Sequence, residues 1–183
     1  LWVAATPGSA AVSVLTIVAA DLNFRRQVEV SDMSLRVFDY ASDAEALLGD
    51  VLASEPGLRG RMVLATKGGI LPPLPYDQSP QYLRKAIDNS LARLKTDSVD
   101  LWQVHRPDIL AHPQEVARAL DDAVASGKIR TIGVSNFTHH QIAALSQFLG
   151  HALVSTQPEI SPLRITCFEN GELDQAMMLG ERV

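Results

Sequence analysis

The sequence predicts an α/β fold in which short parallel strands alternate with helices. Two segments carry this prediction, VDLWQVHRPD (Val99–Asp108) and GKIRTIGVSNF (Gly127–Phe137), because each holds an apolar strand that ends abruptly in polar residues. A third apolar run, Met62–Thr66, ends at Lys67 in the same way. Polar side chains at the carboxyl ends of strands are how α/β barrels build their active sites. We therefore expect a cation, an imidazole and a hydroxyl–amide pair to meet at one rim of the sheet.

The elements of the N-terminal part are weakly marked in the sequence. We place a strand near Val12–Val18, another at Leu35–Phe38 that ends at Asp39, and a helix at Ala44–Ala53. The apolar run Ala10–Ala20 is similar to the core of a signal peptide, but it lacks the preceding Lys or Arg that a signal peptide requires. A buried strand or helix is the better interpretation of that run.

Three later helices are predicted from capping residues and apolar periodicity. Ser79 caps a helix that runs to about Lys95. Pro113 opens a second helix, which Gly127 ends, and the pair Thr138–Gln141 forms a capping box for the third. The residues predicted to face the core from these helices are Leu83, Ile87, Leu91, Leu94, Val116, Leu120, Val124, Ile142, Leu145 and Phe148.

Three further strands and one helix complete the pattern. The strands are Val99–Val104, Ile129–Val134 and Leu153–Thr156, which ends at Gln157, and the helix includes Asp174–Leu179. The total is about six strands, whereas a closed barrel of this type needs eight. Open sheet edges favour pairing with another chain, so self-association is expected.

Composition excludes several classes of protein. A length of 183 residues suits one domain, and the net charge of −5 with scattered Lys and Arg argues against a nucleic-acid partner. No run of about 18 apolar residues is present, so no membrane span is expected. A single cysteine, Cys167, suits a reducing compartment and hence a cytoplasmic protein. The spacing of the histidines indicates no metal site.

Several segments, in order and at matching spacing, resemble the aldo-keto reductases, which are NADPH-dependent (β/α)₈-barrel oxidoreductases. These are Val63–Ile70 (VLATKGGI), Ala86–Leu94 (AIDNSLARL), Val99–Asp108, Gly127–Phe137 and Gln157–Leu163 (QPEISPL). The resemblance is strongest over residues 38–183, and it implies a single domain over residues 1–183 with an incomplete TIM-type (β/α) barrel of about six of eight βα units. In the family the chain continues beyond the point where this one stops, so we expect a truncated form.

The resemblance assigns catalytic roles to Asp39, Lys67 and His105. In the family a Tyr donates the proton, a Lys paired with an Asp lowers the pKa of that Tyr, and a His orients the carbonyl. Each match also has a plainer interpretation: a helix cap or turn for Asp39, a solvated strand end for Lys67, and a buried core histidine for His105. The family's Tyr stands five residues after the Asp, where this chain has Ala44. Tyr40 is a weak substitute, because neighbouring strand positions point to opposite faces.

Ser135, Asn136 and Gln157 match family positions that hydrogen-bond the nicotinamide carboxamide. A carboxamide offers both donors and acceptors, so hydroxyl and amide side chains suit it. A strand-to-helix turn is the alternative interpretation of Ser135–Asn136. The expected cofactor is NADP(H), with NAD(H) as the alternative, since the phosphate-binding part of the family lies beyond this chain.

Two functions from different classes follow. The first is an oxidoreductase that reduces a small carbonyl substrate, an aldehyde or a ketone, with NAD(P)H. The second is a catalytically inactive or fragmentary relative that acts through binding or through association with a partner, which the absent Tyr and the missing C-terminal units favour.

Overall fold

The computed structural model describes residues 16–19, 40–70 and 76–181, whose strands form one five-stranded sheet. Its strands, in chain order and in spatial order, are β1 (Thr16–Ala19), β2 (Met62–Gly68), β3 (Val99–Val104), β4 (Ile129–Ser135) and β5 (Leu153–Gln157). Strands β2 to β5 are parallel, whereas β1 pairs antiparallel with β2. The four parallel strands confirm the predicted βα pattern.

One helix lies between each two successive parallel strands, one helix precedes β2, and one helix follows β5. The five helices are α1 (Tyr40–Ser54), α2 (Pro80–Leu94), α3 (Pro113–Ala125), α4 (His139–Ser146) and α5 (Glu172–Leu179). The Ser79 hydroxyl caps α2 by accepting from the backbone N–H of Tyr82 at 3.3 Å. Thr138 and Gln141 form the predicted capping box of α4.

Two details of the predicted elements differ from the structure. Helix α1 begins at Tyr40, four residues before the predicted start, because no Gly or Pro interrupts the segment and Asp43 favours a helix N-terminus. Phe148 is 43% exposed rather than buried, since α4 ends at Ser146 and helical periodicity no longer directs the residue inward. The strand predicted at Leu35–Phe38 lies outside the described residues.

The hydrophobic core lies between the helices and one face of the sheet. Alternate strand residues on this face are buried, including Leu64, Trp102, Ile132 and Val134. They pack with the apolar faces of α2, α3 and α4, as the sequence periodicity predicts. The Trp102 ring is on this helix side, and its indole N–H has no hydrogen-bond partner within the described part of the chain.

A buried carboxylate joins α1 to the sheet and to α2. Glu45 is 3% exposed, and it accepts a hydrogen bond of 2.5 Å from the Thr66 hydroxyl. The Arg93 guanidinium binds the other oxygen of Glu45 at 2.6 Å from its Nε. A buried carboxylate needs such partners because its desolvation is costly.

Candidate active site

The opposite face of the parallel strands is polar towards their carboxyl ends. One row across the sheet consists of Lys67, Gln103, Gly133 and Ser155. Two positions further on, and therefore on the same face, the next row contains His105, Ser135 and Gln157. The backbone N–H of His105 donates to the Gly68 carbonyl at 2.8 Å, which extends the β2–β3 pairing to this row. The tertiary structure therefore brings five of the six predicted site residues to one rim, with Asn136 adjoining Ser135.

Lys67 and His105 are both 7% exposed. Burial, with a further contribution from the Arg106 cation, lowers the pKa of Lys67 from 10.5 to about 8. Burial, the Lys67 ammonium and then Arg106 lower the pKa of His105 from 6.5 to about 4. His105 is thus a neutral imidazole near pH 7, and its Nδ1 has no hydrogen-bond partner among the described residues.

The β4–α4 turn and the end of β5 hold each other by hydrogen bonds. The Ser135 hydroxyl donates to the Gln157 carbonyl at 2.9 Å and accepts from Asn136 Nδ2 at 3.1 Å. The Asn136 backbone N–H donates to the same carbonyl at 3.1 Å. Asn136 has φ of +58°, a left-handed conformation that Asn tolerates better than most residues. This turn therefore has a fixed geometry before any ligand binds.

The amide of Asn136 is also fixed on its oxygen side. Its Oδ1 accepts from the Glu159 backbone N–H at 3.0 Å. With one Nδ2 hydrogen given to Ser135, an Asn side chain keeps its second hydrogen and one lone pair for a ligand. The half-buried Gln157 side chain is in register with Ser135. These groups could hold a planar carboxamide, which needs both a donor and an acceptor.

The buried Gln103 belongs to the polar face, although sequence reasoning did not select it. Its Nε2 donates to Ser155 Oγ at 3.1 Å and to the Val134 carbonyl at 3.4 Å. A polar residue two positions before His105 on the same strand is a sequence signal that could have found it, because strand side chains alternate between faces. Glu159 and Arg106, which flank the predicted residues, were missed for lack of any such periodic signal.

The remaining predictions about the site concern Asp39 and the two tyrosines, Tyr40 and Tyr76, that were considered as proton donors. Asp39 lies outside the described residues, so its predicted pairing with Lys67 stays a prediction. Tyr40 is the first residue of α1 rather than part of a strand. Tyr76 is 38% exposed in the loop before α2.

A cavity of about 210 Å³ lies beside this rim rather than in it. It is lined by Gln78, Pro107, Asp108, Ile109, Ala111, Pro113, Val116, Phe137, Gln141, Ala144 and Leu145. None of the predicted site residues contributes to its wall. Within residues 16–19, 40–70 and 76–181, no group of three His, Cys, Asp or Glu side chains could hold a metal ion. No helix in those ranges is long and apolar enough to cross a membrane.

The Aldo/keto reductase family profile matches residues 18–177, so this chain belongs to that family. A 6-dehydroglucose reductase from Novosphingobium aromaticivorans is 68% identical over 178 residues, which are 96% of this chain and 57% of that protein. A 6-dehydroglucose reductase from Agrobacterium fabrum is 39% identical over 139 residues, which are 71% of this chain and 47% of that protein. The chain therefore spans about half the length of the curated relatives that it matches.

Solved structures are similar to this chain in fold. The glycerol dehydrogenase from Gluconobacter oxydans matches with a TM-score of 0.68 and 29% identity over 79% of this chain and 45% of that chain. A thermostable aldo-keto reductase matches with a TM-score of 0.68 and 23% identity, which concerns the fold alone. The described strands and helices are thus a portion of a TIM-type (β/α) barrel, as predicted.

Proposed function

We propose that this chain reduces aldehydes or ketones to alcohols with a nicotinamide cofactor. The observation that carries the proposal is the shared polar face, on which buried Lys67 and His105 lie at neighbouring strand ends. Ser135, Asn136 and Gln157 continue the same rim on β4 and β5. Membership of the family and the 68% identical reductase support this activity.

Lys67 and His105 would stabilise the negative charge that develops on the carbonyl oxygen. His105 is neutral near pH 7, so one ring nitrogen can donate a hydrogen bond to that oxygen. Lys67 is largely protonated at the same pH and adds a positive charge in a buried site, where electrostatic stabilisation is strongest. Asp39 is assigned to this site by the family resemblance alone, and a pairing of its carboxylate with Lys67 would raise the pKa of Lys67 above about 8.

Lys67 is also the group to which we assign the proton that the reduced oxygen needs. The position of the family's Tyr holds Ala44, and a group with a pKa of about 8 is a suitable acid near neutral pH. The alkoxide would take the proton and leave a neutral amine, which solvent reprotonates. Tyr76, at 38% exposure, would have to move inward to compete for this role.

Ser135, Asn136 and Gln157 would bind the nicotinamide carboxamide. The free hydrogen and lone pair of Asn136 and the Gln157 amide match its donors and acceptors. The bound cofactor supplies a hydride to the carbonyl carbon, and the protein orients its ring. We favour NADP(H) over NAD(H) from the family resemblance, and the single cysteine suits a cytoplasmic location.

For the substrate we propose a hydroxylated aldehyde of the 6-dehydroglucose type. The support is the activity for which two relatives, 68% and 39% identical to this chain, are named. Purified protein should oxidise NADPH when 6-dehydroglucose is added. Parallel assays with NADH and with an unsubstituted aldehyde measure the preference for cofactor and substrate.

Three variants test the assignment to Lys67. Lys67→Met should lower the rate by about 10²–10⁴-fold, the usual contribution of a positioned acid. Lys67→Arg keeps the positive charge but cannot release a proton, so it should lose most of that rate as well. Arg84→Gln, in an exposed ion pair on the helical layer, is the matched control and should keep full activity.

Two results would favour the non-catalytic alternative. They are the absence of carbonyl-dependent oxidation of NADPH or NADH, and the absence of a rise in melting temperature at millimolar cofactor. Trp102 lies on the helix side of the sheet, so its fluorescence is a poor reporter of cofactor binding. Thermal unfolding is the more direct measurement.

A further inference from the structure

We propose that Arg106 and Glu159 form a positioning pair of this site. In this pair Arg106 is a fixed cation at the rim that carries Lys67 and His105, and Glu159 ties Arg106 to the residues that we expect to hold the nicotinamide. The part that concerns the cofactor rests on the proposed function, whereas the part that concerns Lys67 does not.

Arg106 is held at the rim by contacts on two sides. It follows His105 directly, and the Gln78 side-chain amide donates to its backbone carbonyl. Its Nη2 lies 3.4 Å from Glu159 Oε2. The guanidinium is about one-third exposed and cannot lose its proton, so it is a permanent charge beside two titratable groups.

Glu159 connects this cation to the β4–α4 turn. Its carboxylate contacts Arg106 and, at 3.5 Å, Arg164. Its backbone N–H donates to Asn136 Oδ1 at 3.0 Å, and Asn136 in turn donates to Ser135. A continuous series of polar contacts therefore runs from the end of β3 to the turn that holds Ser135 and Asn136.

The electrostatics of the rim agree with this geometry. After burial, the Arg106 charge is the next cause that lowers the pKa of Lys67, and it is the third cause for His105, after burial and Lys67. The charged group that contacts the Arg106 guanidinium is Glu159, and Glu159 also contacts Arg164. Asp108 turns towards the Gln78 backbone N–H, at 3.4 Å, which leaves Glu159 as the carboxylate that pairs with Arg106 in the described part of the chain.

The test measures the titration midpoint of the Lys67 amine directly, without turnover. Brief acetylation at a series of pH values, read by mass spectrometry of the Lys67 peptide, gives this midpoint, with exposed Lys85 as the internal reference. In Arg106→Gln the midpoint should rise by about 0.2 to 0.7 pH units, the size typical of an interaction between partly exposed charges. In Glu159→Gln it should fall, because Arg106 is then uncompensated.

Arg106→Lys and Arg84→Gln are the controls. The first keeps the charge and should keep the midpoint, and the second removes an arginine from a remote ion pair and should not move it. The shifts should shrink at high salt, since part of the interaction passes through solvent. The native fold of each variant is checked by its thermal unfolding, and Glu159→Gln, whose midpoint should fall, still tests the proposal if Arg106→Gln does not fold.

The cofactor part of the proposal predicts that Glu159→Gln weakens NADPH binding by about 2- to 5-fold, the effect expected for an exposed ion pair. Midpoints that are the same in Arg106→Gln, Glu159→Gln and Arg84→Gln would overturn the proposal. Opposite shifts in a protein that shows no turnover would support the pair and reject the proposed function, so the two failures are distinguishable.

Discussion

Replacing Lys67 with Met should make the protein more stable at neutral pH while removing the charge that the proposed reaction needs. Lys67 is 7% exposed, and its pKa of about 8 in the native state compares with 10.5 for an unperturbed lysine. An ammonium in such a site is stabilised less than in water. Met has a similar length and no charge, so it fills the same space without this cost.

The magnitude follows from the two pKa values. Between pH 8 and 10.5 the unfolded chain carries a proton on Lys67 that the native state has lost, so the stability of the wild-type protein rises with pH in this window. Below pH 8 both states carry the proton and the destabilisation is complete. At 1.36 kcal/mol for each of about 2.5 pH units, it amounts to about 3 kcal/mol.

Urea unfolding of the wild-type protein and of Lys67→Met at pH 7, 8, 9 and 10 measures this difference. The free energy of unfolding should be up to about 3 kcal/mol higher for Lys67→Met at pH 7, and the gain should vanish towards pH 10.5, with equal slopes in urea. A Lys67→Met protein less stable than wild type at pH 7 would refute the reasoning. It would mean that a carboxylate compensates the ammonium, and Asp39→Asn would then identify that carboxylate.

Three further predictions follow from buried groups. The pKa of His105 is about 4, so between pH 6.5 and about 4 only the unfolded chain gains a proton on this residue, and wild-type stability should fall as the pH drops. Urea titrations of His105→Asn should no longer show this contribution. Arg93→Leu leaves the buried Glu45 carboxylate without its cation and should cost about 3–5 kcal/mol, measured by urea unfolding; a loss below 1 kcal/mol would contradict it. Gly133→Ala would place a methyl carbon 2.3 Å from Ser155 Oγ and should destabilise the protein by about 1–3 kcal/mol. The double variant with Ser155→Ala should recover part of the lost stability, measured by the melting temperatures of the two variants.

The helices and central strands could be predicted because their signals lie in adjacent residues. The Val99–Val104 strand and the Pro113 helix start agree with the prediction, and Gly127 has the expected positive φ of +73° after the helix that it ends. Phe148 shows the limit of this approach, since a pattern gives the face of a helix only as far as the helix extends. The start of α1 differs by four residues from the predicted start, because helix ends are the least sharply marked part of a sequence pattern.

For the candidate site, the sequence placed Lys67 and His105 at strand ends, because an apolar run that stops at a polar residue is a local pattern. It could not give the partner of the Asn136 side-chain oxygen, which is the backbone N–H of Glu159, 23 positions away. The place of Gln103 two residues before His105 indicates its face, but its contacts with Ser155 and the Val134 carbonyl depend on the register of β3, β4 and β5.

The sequence by itself thus determined the order of the elements, the caps of the helices and the residues that end each strand. Only the tertiary structure decided that Lys67 and His105 are buried beside Arg106 and that Glu45 is enclosed between α1, β2 and α2. The physical reason is that helix and strand signals act over a few neighbouring residues. Desolvation and charge–charge interactions depend instead on groups that are distant in the chain and meet only when the sheet and its helices assemble.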